Sequence, residues 1–473
     1  MKYDQAVWRS DEEAVYEPLL IEKGEHTVNP REASPLPDKL TREELTLPEG
    51  SEPELARHFT RLSQMTYGVD SGPYPLGSCT MKYNPKFIET IANDEAGLIH
   101  PDRPDRTIQG TLAIAHALQD MLARIGGMDA VTLQPPAGAA GEFTGIRIAA
   151  AHHAENGESD RDEIIVPDTA HGTNFASAAL AGYDVIELPS EDGRVDIDGL
   201  DAAVSDRTAA LMLTNPNTLG LFEREILDIA QIVHDAGGLL YYDGANLNAL
   251  LGRARPGDMG FDVMHYNTHK TFATPHGGGG PGAGPVGVTA ELAPYLPSPH
   301  IRETDGGFET YDPEKTIGKV HGYHGNWLVL VKAFAYIARL GDDGLSDASA
   351  KAVLNANYLG SQIDFEIPYG PYHHEFVASA GERDAADVAK LMLDFGVHPP
   401  TTKWPDIVSE ALMTEPTESE RRDTLDHLAR AFNQVAAADE EALADAPSRT
   451  SATRIDQVKA ARSANLSWHD LAE

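Results

Sequence analysis

Leu118, Met121, Leu122 and Ile125 recur at helical spacing, and Gly126-Gly127 follow where that apolar face ends. Beyond this point short apolar runs alternate with amphipathic stretches. Residues 130–133, 163–166, 185–188, 209–213, 239–242 and 263–266 read as strands. Residues 141–154, 173–181 and 197–204 read as the helices between them. So does a segment whose inner face is Ile226, Ile229, Ala230 and Val233, stopped by Gly237-Gly238. Buried strands joined through helices predict a mostly parallel sheet with helices on both faces.

The pattern differs at either end. Pro30, Pro35, Pro37, Pro48 and Pro53 interrupt the first part of the chain, which predicts an extended arm with short helices over 1–73. Tyr74 to Pro85 has Pro and Gly punctuation and no period, so a loop is expected. From about 320 the reading is a long buried helix at 324–340, a strand at 376–379, a helix at 385–395 and a strand at 411–414. Thr417 and Glu420 suggest a capping box for a last helix facing inward through Leu425, Leu428, Phe432 and Val435. The expected division is an arm (1–73), a large α/β domain (74–320) and a smaller C-terminal α+β domain with its tail (321–473). No internal repeat or low-complexity segment interrupts this order.

Composition narrows the class. The chain has 473 residues, 41% of them hydrophobic, enough for more than one core. No apolar run reaches the roughly 20 residues of a membrane span, and Met1–Glu25 has no apolar signal core, so a cytoplasmic protein is expected. One cysteine, Cys79, excludes an intramolecular disulfide and a thiolate metal cluster, and no metal site is read from the sequence. A net charge of −37 argues against a broad nucleic-acid face. The acid is spread along the whole chain and Arg outnumbers Lys. That is a pattern of adaptation to high salt, with an ordinary acidic, soluble enzyme as the alternative.

Candidate chemistry sits where strands end. Asp243, in YYDGA (241–245), follows an apolar strand. A carboxylate there can pair with a protonated pyridine nitrogen, or it can merely cap a helix. Lys270, in NTHKTF (267–272), follows the next strand. Alone it reads as a surface lysine; 27 residues after Asp243, it suits an amine that grips an aldehyde carbon while the acid grips the ring. QPPAGAAGE (134–142) lies between strand and helix, so Gly138 and Ala139 can offer backbone amides to one phosphate. It matches neither a Walker loop nor G-x-G-x-x-G. His171 could stack on a ring or cap a helix, and Asn215 could bond a phenolic oxygen. The run HGGGGPG (276–282) allows close backbone approach, or is a flexible loop. Together these junctions suggest a pyridoxal-phosphate (PLP) enzyme.

Several segments resemble the glycine cleavage system P-protein family, and most closely its lysine-bearing subunit 2. They are PLGSCTMKYNP (75–85), GMDAVTLQPPAGAAGE (127–142), AHGTNFASA (170–178), TNPNTLGLFE (214–223), YYDGANLNA (241–249), THKTFATPHGGGGPGAGPVGV (268–288) and WPDIVSEALMTEPTES (404–419). The length also fits one half of the longer, single-chain form. The resemblance implies the aminotransferase-like PLP fold type I. It implies Lys270 as the Schiff-base lysine, Asp243 as the partner of the ring nitrogen and His171 as the stacked residue. Gly138, Ala139, Thr268, Asn215 and Ala245 are implied as further cofactor contacts, and Tyr74–Thr80 as the border of a glycine pocket, with Cys79 a pocket residue. It implies decarboxylation of glycine and transfer of the aminomethyl group to the lipoyl arm of the H-protein, beside a subunit 1, two copies of each. Nucleic acid and membrane are not expected partners. Pro136, Phe175 and the segment 300–316 depart from the family pattern. The rival readings are a stand-alone fold type I aminotransferase or decarboxylase, and a non-catalytic subunit, which would not need Lys270 and Asp243.

Overall fold

The structure, a computed structural model, describes residues 8–10, 13–20, 37–40, 50–96, 100, 103–278, 280 and 282–463. Pro30, Pro35, Pro48, Gly279 and Pro281, named above, lie outside the described residues. The chain forms two compact units. One gathers the described residues of 1–72, 390–398 and 438–473; the other comprises 73–389 and 399–437.

In the first unit, Glu52–Met65 is a helix opened by Ser51, whose amide donates to Glu54 Oε2 at 2.8 Å. His58 is buried in this unit, and its Nδ1 lies 2.8 Å from Glu17 Oε1, while Arg61 donates to the same carboxylate.

The second unit is built on a seven-stranded sheet. Its strands are β1 (Ala130–Thr132), β2 (Glu163–Pro167), β3 (Asp184–Leu188), β4 (Thr208–Thr214), β5 (Leu239–Asp243), β6 (Val263–His265) and β7 (Val286–Val288). Their order is β1-β7-β6-β5-β4-β2-β3. β6, β5, β4, β2 and β3 run parallel, and β7 pairs antiparallel with both β6 and β1. Helices cover both faces, so successive residues of one strand enter opposite cores. Leu211 and Leu213 pack with Leu118, Leu122 and Val331, whereas Ala210 and Met212 pack with Ile146 and Ile148. All seven residues of β4 are buried, which is why its sequence is a continuous apolar run. Each fully buried leucine contributes about 2 kcal/mol.

The periodic helices lie where the sequence predicts: Gln109–Gly126, Gly138–Glu155, Gly172–Ala181, Ile197–Ala203 and Ile226–Asp235. Gly127 ends the first of these at φ +72°, a conformation that suits glycine. Three features depart from the reading. The helix expected at 324–340 begins at Trp327 and runs to Gly360, with a break at Gly341 (φ +63°); the second half is Asp- and Ser-rich and hides its period. The capping box at Thr417 and Glu420 does not form. The last helix of this unit starts at Arg422, and the Thr417 hydroxyl pairs with Ser419 instead, while Asn355 takes the carbonyls of Thr417 and Glu420. β7 and the hairpin His300–Thr304/Gly307–Tyr311 were not in the pattern, because three-residue or half-exposed strands show no clear alternation.

A smaller antiparallel sheet joins β8 (Phe376–Ser379), β9 (Thr401–Thr402) and β10 (Ala411–Thr414) in the order β8-β10-β9. The loop 74–85 is tied to its central strand: the Gly77 amide donates to Met413 O at 3.1 Å.

Candidate active site

Asp243 ends β5 at the carboxyl edge of the sheet and is 2% exposed. Its Oδ1 accepts the Ala245 amide at 2.9 Å and its Oδ2 accepts Asn174 Nδ2 at 3.0 Å. His265 Nε2 lies 3.4 Å away. Burial alone would raise this carboxyl. His265, Lys270 and the two hydrogen bonds outweigh it and hold Asp243 below the usual carboxylate range. His265 is itself placed by Tyr241, whose hydroxyl is 2.8 Å from Nδ1, and by Asn267, whose amide is 2.8 Å from Nε2.

Lys270 lies on a single helical turn, Thr268–Thr271, that follows β6. It faces a cavity of about 470 Å³ also lined by Gly138, Ala139, Glu142, His171, Asp243, Ala245, His269 and His276. On the same cavity the helix Gly138–Glu155 starts after an extended Ala137 that provides no side-chain cap. The first-turn amides are left for a ligand, and the helix dipole favours an anion there. Glycines bring the backbone in. A Cβ on Gly284 would stand 2.0 Å from Ala137 O, and one on Gly138 would stand 2.3 Å from Asn267 Oδ1.

His171 caps the helix Gly172–Ala181, its Nδ1 accepting the Thr173 amide at 3.1 Å, and it also borders the cavity, edge-on to Trp404 at 5.4 Å. The capping reading of this histidine is therefore observed directly, and its place on the cavity leaves the ring-stacking reading open to a bound ring. Burial, then the charge of Lys270, lowers its pKa. Thr173 passes a hydrogen bond on to Glu142 at 2.8 Å, and Ser177 donates to the same carboxylate at 2.9 Å. Burial, then the charge of Asp243, pushes Glu142 up to about 7.

Two expected contacts do not reach the wall of this cavity. Asn215 is fully buried, its Oδ1 accepting the Glu223 amide at 3.0 Å, so it braces the turn after β4. The Thr268 hydroxyl is spent on Ala283 O at 3.2 Å and on Thr274. Asn174, His265, Asn267 and Glu142 carry no local mark in the sequence, because only the fold brings Asn174 and His265 to Asp243, Asn267 to His265 and Glu142 to Thr173 and Ser177. Cys79 lies half-buried in the loop 74–85, and burial pushes its thiol up to about 11, which keeps it protonated at neutral pH.

The fold is shared with known proteins. The aminotransferase class-V family model matches residues 140–279, and the glycine dehydrogenase C-terminal domain model matches 348–456. A crystal structure of glycine decarboxylase (P-protein) of the glycine cleavage system, in inhibitor-bound form, superposes with a TM-score of 0.73 at 21% identity, covering 85% of this chain and 93% of that one. Glutamate decarboxylase of Lactobacillus brevis gives 0.63 at 14% identity, over 85% and 96%. This is PLP fold type I, with a mostly parallel central sheet.

The residues present fit that cofactor. Among the described residues, His269 Nδ1 and His276 Nε2, on the cavity wall, are buried without a hydrogen-bond partner. Both rings are held neutral, His269 down to about 3 and His276 to about 4, by burial and then by Lys270. With the uncapped amides they offer donors to an anion, and Asp243 on the same cavity offers a partner for a cationic nitrogen. Among curated relatives, the probable glycine dehydrogenase (decarboxylating) subunit 2 of Halobacterium salinarum is 71% identical over 99% of both chains. That of Pyrococcus abyssi is 54% identical over 92% of this chain and 90% of its own, and that of Thermoplasma acidophilum 53% over 92% and 93%. By sequence and by fold, the chain belongs to the glycine dehydrogenase (decarboxylating) subunit 2 family.

Proposed function

We propose that this chain is the cofactor-bearing subunit of a two-subunit cytoplasmic enzyme that decarboxylates glycine and passes the aminomethyl group to the lipoyl arm of an H-protein. A subunit 1, two copies of each, completes the assembly. The observation that carries the reading is that Lys270, a buried Asp243 held below the usual carboxylate range and an uncapped helix start all line one cavity.

PLP, bound here, supplies a pyridinium ring that accepts the electron pair left by departing carbon dioxide. The chain does the rest. Lys270 Nζ is the amine for the aldehyde carbon. Asp243, anchored by Ala245 and Asn174, keeps a proton on the ring nitrogen. His171, on the cavity wall and edge-on to Trp404, would pack against the ring. The amides of Gly138 and Ala139, with His269 and His276, are the donors for the phosphate and the ring oxygen. Fixing these groups before substrate arrives lowers the cost of orientation.

Borohydride reduction of the PLP-loaded protein and peptide mapping should put the label on Lys270. Lys270→Ala should lose both the visible absorbance and glycine-dependent carbon dioxide exchange with lipoylated H-protein. A label on another lysine, or exchange surviving in Lys270→Ala, would overturn the assignment. Asp243→Asn should retain the label but lose exchange by about 10²-fold or more, as expected when a ring-charge partner is removed.

A further inference from the structure

His374 and Glu375 directly precede β8, and Glu415 directly follows β10. Those strands are antiparallel neighbours with Phe376 opposite Thr414, so the sheet brings the three side chains together. All three are at most 1% exposed. One ligand atom of each lies within 4.8 Å of the others. His374 Nε2 stands 3.9 Å from Glu375 Oε1 and 3.9 Å from Glu415 Oε1, beyond hydrogen-bond reach. Among the described residues, both nitrogens of this ring are buried without a hydrogen-bond partner. An imidazole this deep with neither nitrogen satisfied calls for a ligand.

The two carboxylates are already aimed. Glu415 Oε2 accepts the Thr80 amide at 2.8 Å, and its Oε1 accepts the Thr80 hydroxyl at 2.6 Å. Glu375 Oε2 accepts the Ser78 amide and its Oε1 accepts Asn246 Nδ2, both at 2.9 Å. Each Oε1 keeps a lone pair beyond its one hydrogen bond. Outer hydrogen bonds of this kind orient carboxylates that ligate a metal. Ligand atoms about 2.1 Å from one zinc ion stand roughly 3.4 Å apart at a tetrahedral angle, so the observed 3.9 Å asks the side chains to close only slightly. Charge balances too. Two carboxylates neutralise a divalent cation, and burial holds His374 in the neutral form that ligates. With no cation the acids repel: burial, then the charge of Glu415, raises Glu375 well above the carboxylate range. The Lys82 ammonium does not serve them, being committed to Glu418 at 2.5 Å, Asn248 Oδ1 at 2.8 Å and Thr271 O at 3.0 Å.

We propose that His374 Nε2, Glu375 Oε1 and Glu415 Oε1 bind one zinc ion. One imidazole and two carboxylates are a donor set that zinc accepts, and the fourth tetrahedral position is left to water. The ion joins the ends of β8 and β10 to the loop 74–85, whose Ser78 and Thr80 hold its carboxylates. Its role is to fix that loop. None of the three ligands lines the cavity at Lys270, so the inference does not depend on the cofactor assignment. Because the ligands are at most 1% exposed, the ion enters as the chain folds.

The test uses the full chain without a histidine tag, refolded with zinc chloride or with a chelator and then exchanged into metal-free buffer. Elemental analysis should find one zinc per chain in the zinc-refolded parent, and little in His374→Asn or Glu415→Gln. The parent should melt about 5 °C or more higher after refolding with zinc than with chelator, and neither variant should respond. X-ray absorption at the zinc edge of the parent should show nitrogen and oxygen ligands at about 2.0–2.2 Å. That measurement needs only the parent, so it decides where a variant does not fold. A parent without zinc after refolding in its presence would overturn the proposal, and would leave the two glutamates sharing a proton instead. Zinc retained in both variants would overturn it as well, by placing the ion elsewhere. So would a sulfur ligand at about 2.3 Å, which would put the ion on Cys79.

Discussion

Glu223 shows how one buried acid sets a pH dependence. It is 2% exposed, and its two hydrogen bonds are long, 3.3 Å from the Val195 amide and 3.4 Å from Asn217. They do not offset the loss of water, so burial pushes the carboxyl up to about 7. A folded-state value above the unfolded one means that the stabilisation is complete below about pH 4.5 and is lost as pH rises through about 7. Glu223→Gln should therefore gain on the order of 2 kcal/mol relative to the parent between those limits, read from urea melts at about pH 5 and pH 8. An equal difference at both pH values would refute this account. His300 has the opposite sign. Burial holds it down to about 4, so its contribution is present above the unfolded value near 6.5 and fades as pH falls through about 4. At this scale the positions of Asp243 at one strand end and Lys270 after the next strand were legible, because each follows an apolar run. Glu375 and Glu415 were not, since an acid in a short polar segment carries no mark of how deeply it will be buried.

Elements place these residues, and glycines decide how closely the elements approach. Gly284 lies beside the start of the helix Gly138–Glu155, and a Cβ there would meet the backbone carbonyl of Ala137, which cannot rotate away. Gly284→Ala should weaken PLP binding by about tenfold or more, measured by fluorescence titration, because the phosphate-facing amides shift. Among the described residues, a Cβ on Gly110, in the helix Gln109–Gly126, would meet nothing within 4 Å. Gly110→Ala should instead raise stability by about 0.5–1 kcal/mol with unchanged PLP affinity. The long periodic helices and buried parallel strands were visible in the chain because their repeat is sustained. β7, the 300–311 hairpin and the extension of the long helix beyond Gly341 were hidden by short length, exposure or polar content.

For the whole molecule, a net charge of −37 is the dominant property, and the relative from Halobacterium salinarum fits a salt-adapted origin. Screening lengths fall from about 10 Å at 0.1 M salt to about 3 Å at 1 M. The melting temperature should therefore rise steeply as potassium chloride is raised from about 0.1 M to about 3 M. A flat curve would leave only solubility as the role of the acid. Among the described residues no helix is long and apolar enough to cross a membrane. The sequence by itself determined the α/β class, the alternation of long helices with the buried parallel strands, and the family. Local periodicity and a specific motif carry that information without reference to distant residues. Tertiary structure alone decided which polar groups share a dry space. It turned Asn215 and Thr268 away from the cavity wall, supplied His265 and Asn174 to Asp243, and joined Glu375 and Glu415 across two strands. Burial and the charges around a group depend on which distant segments close over it, and no local pattern records that.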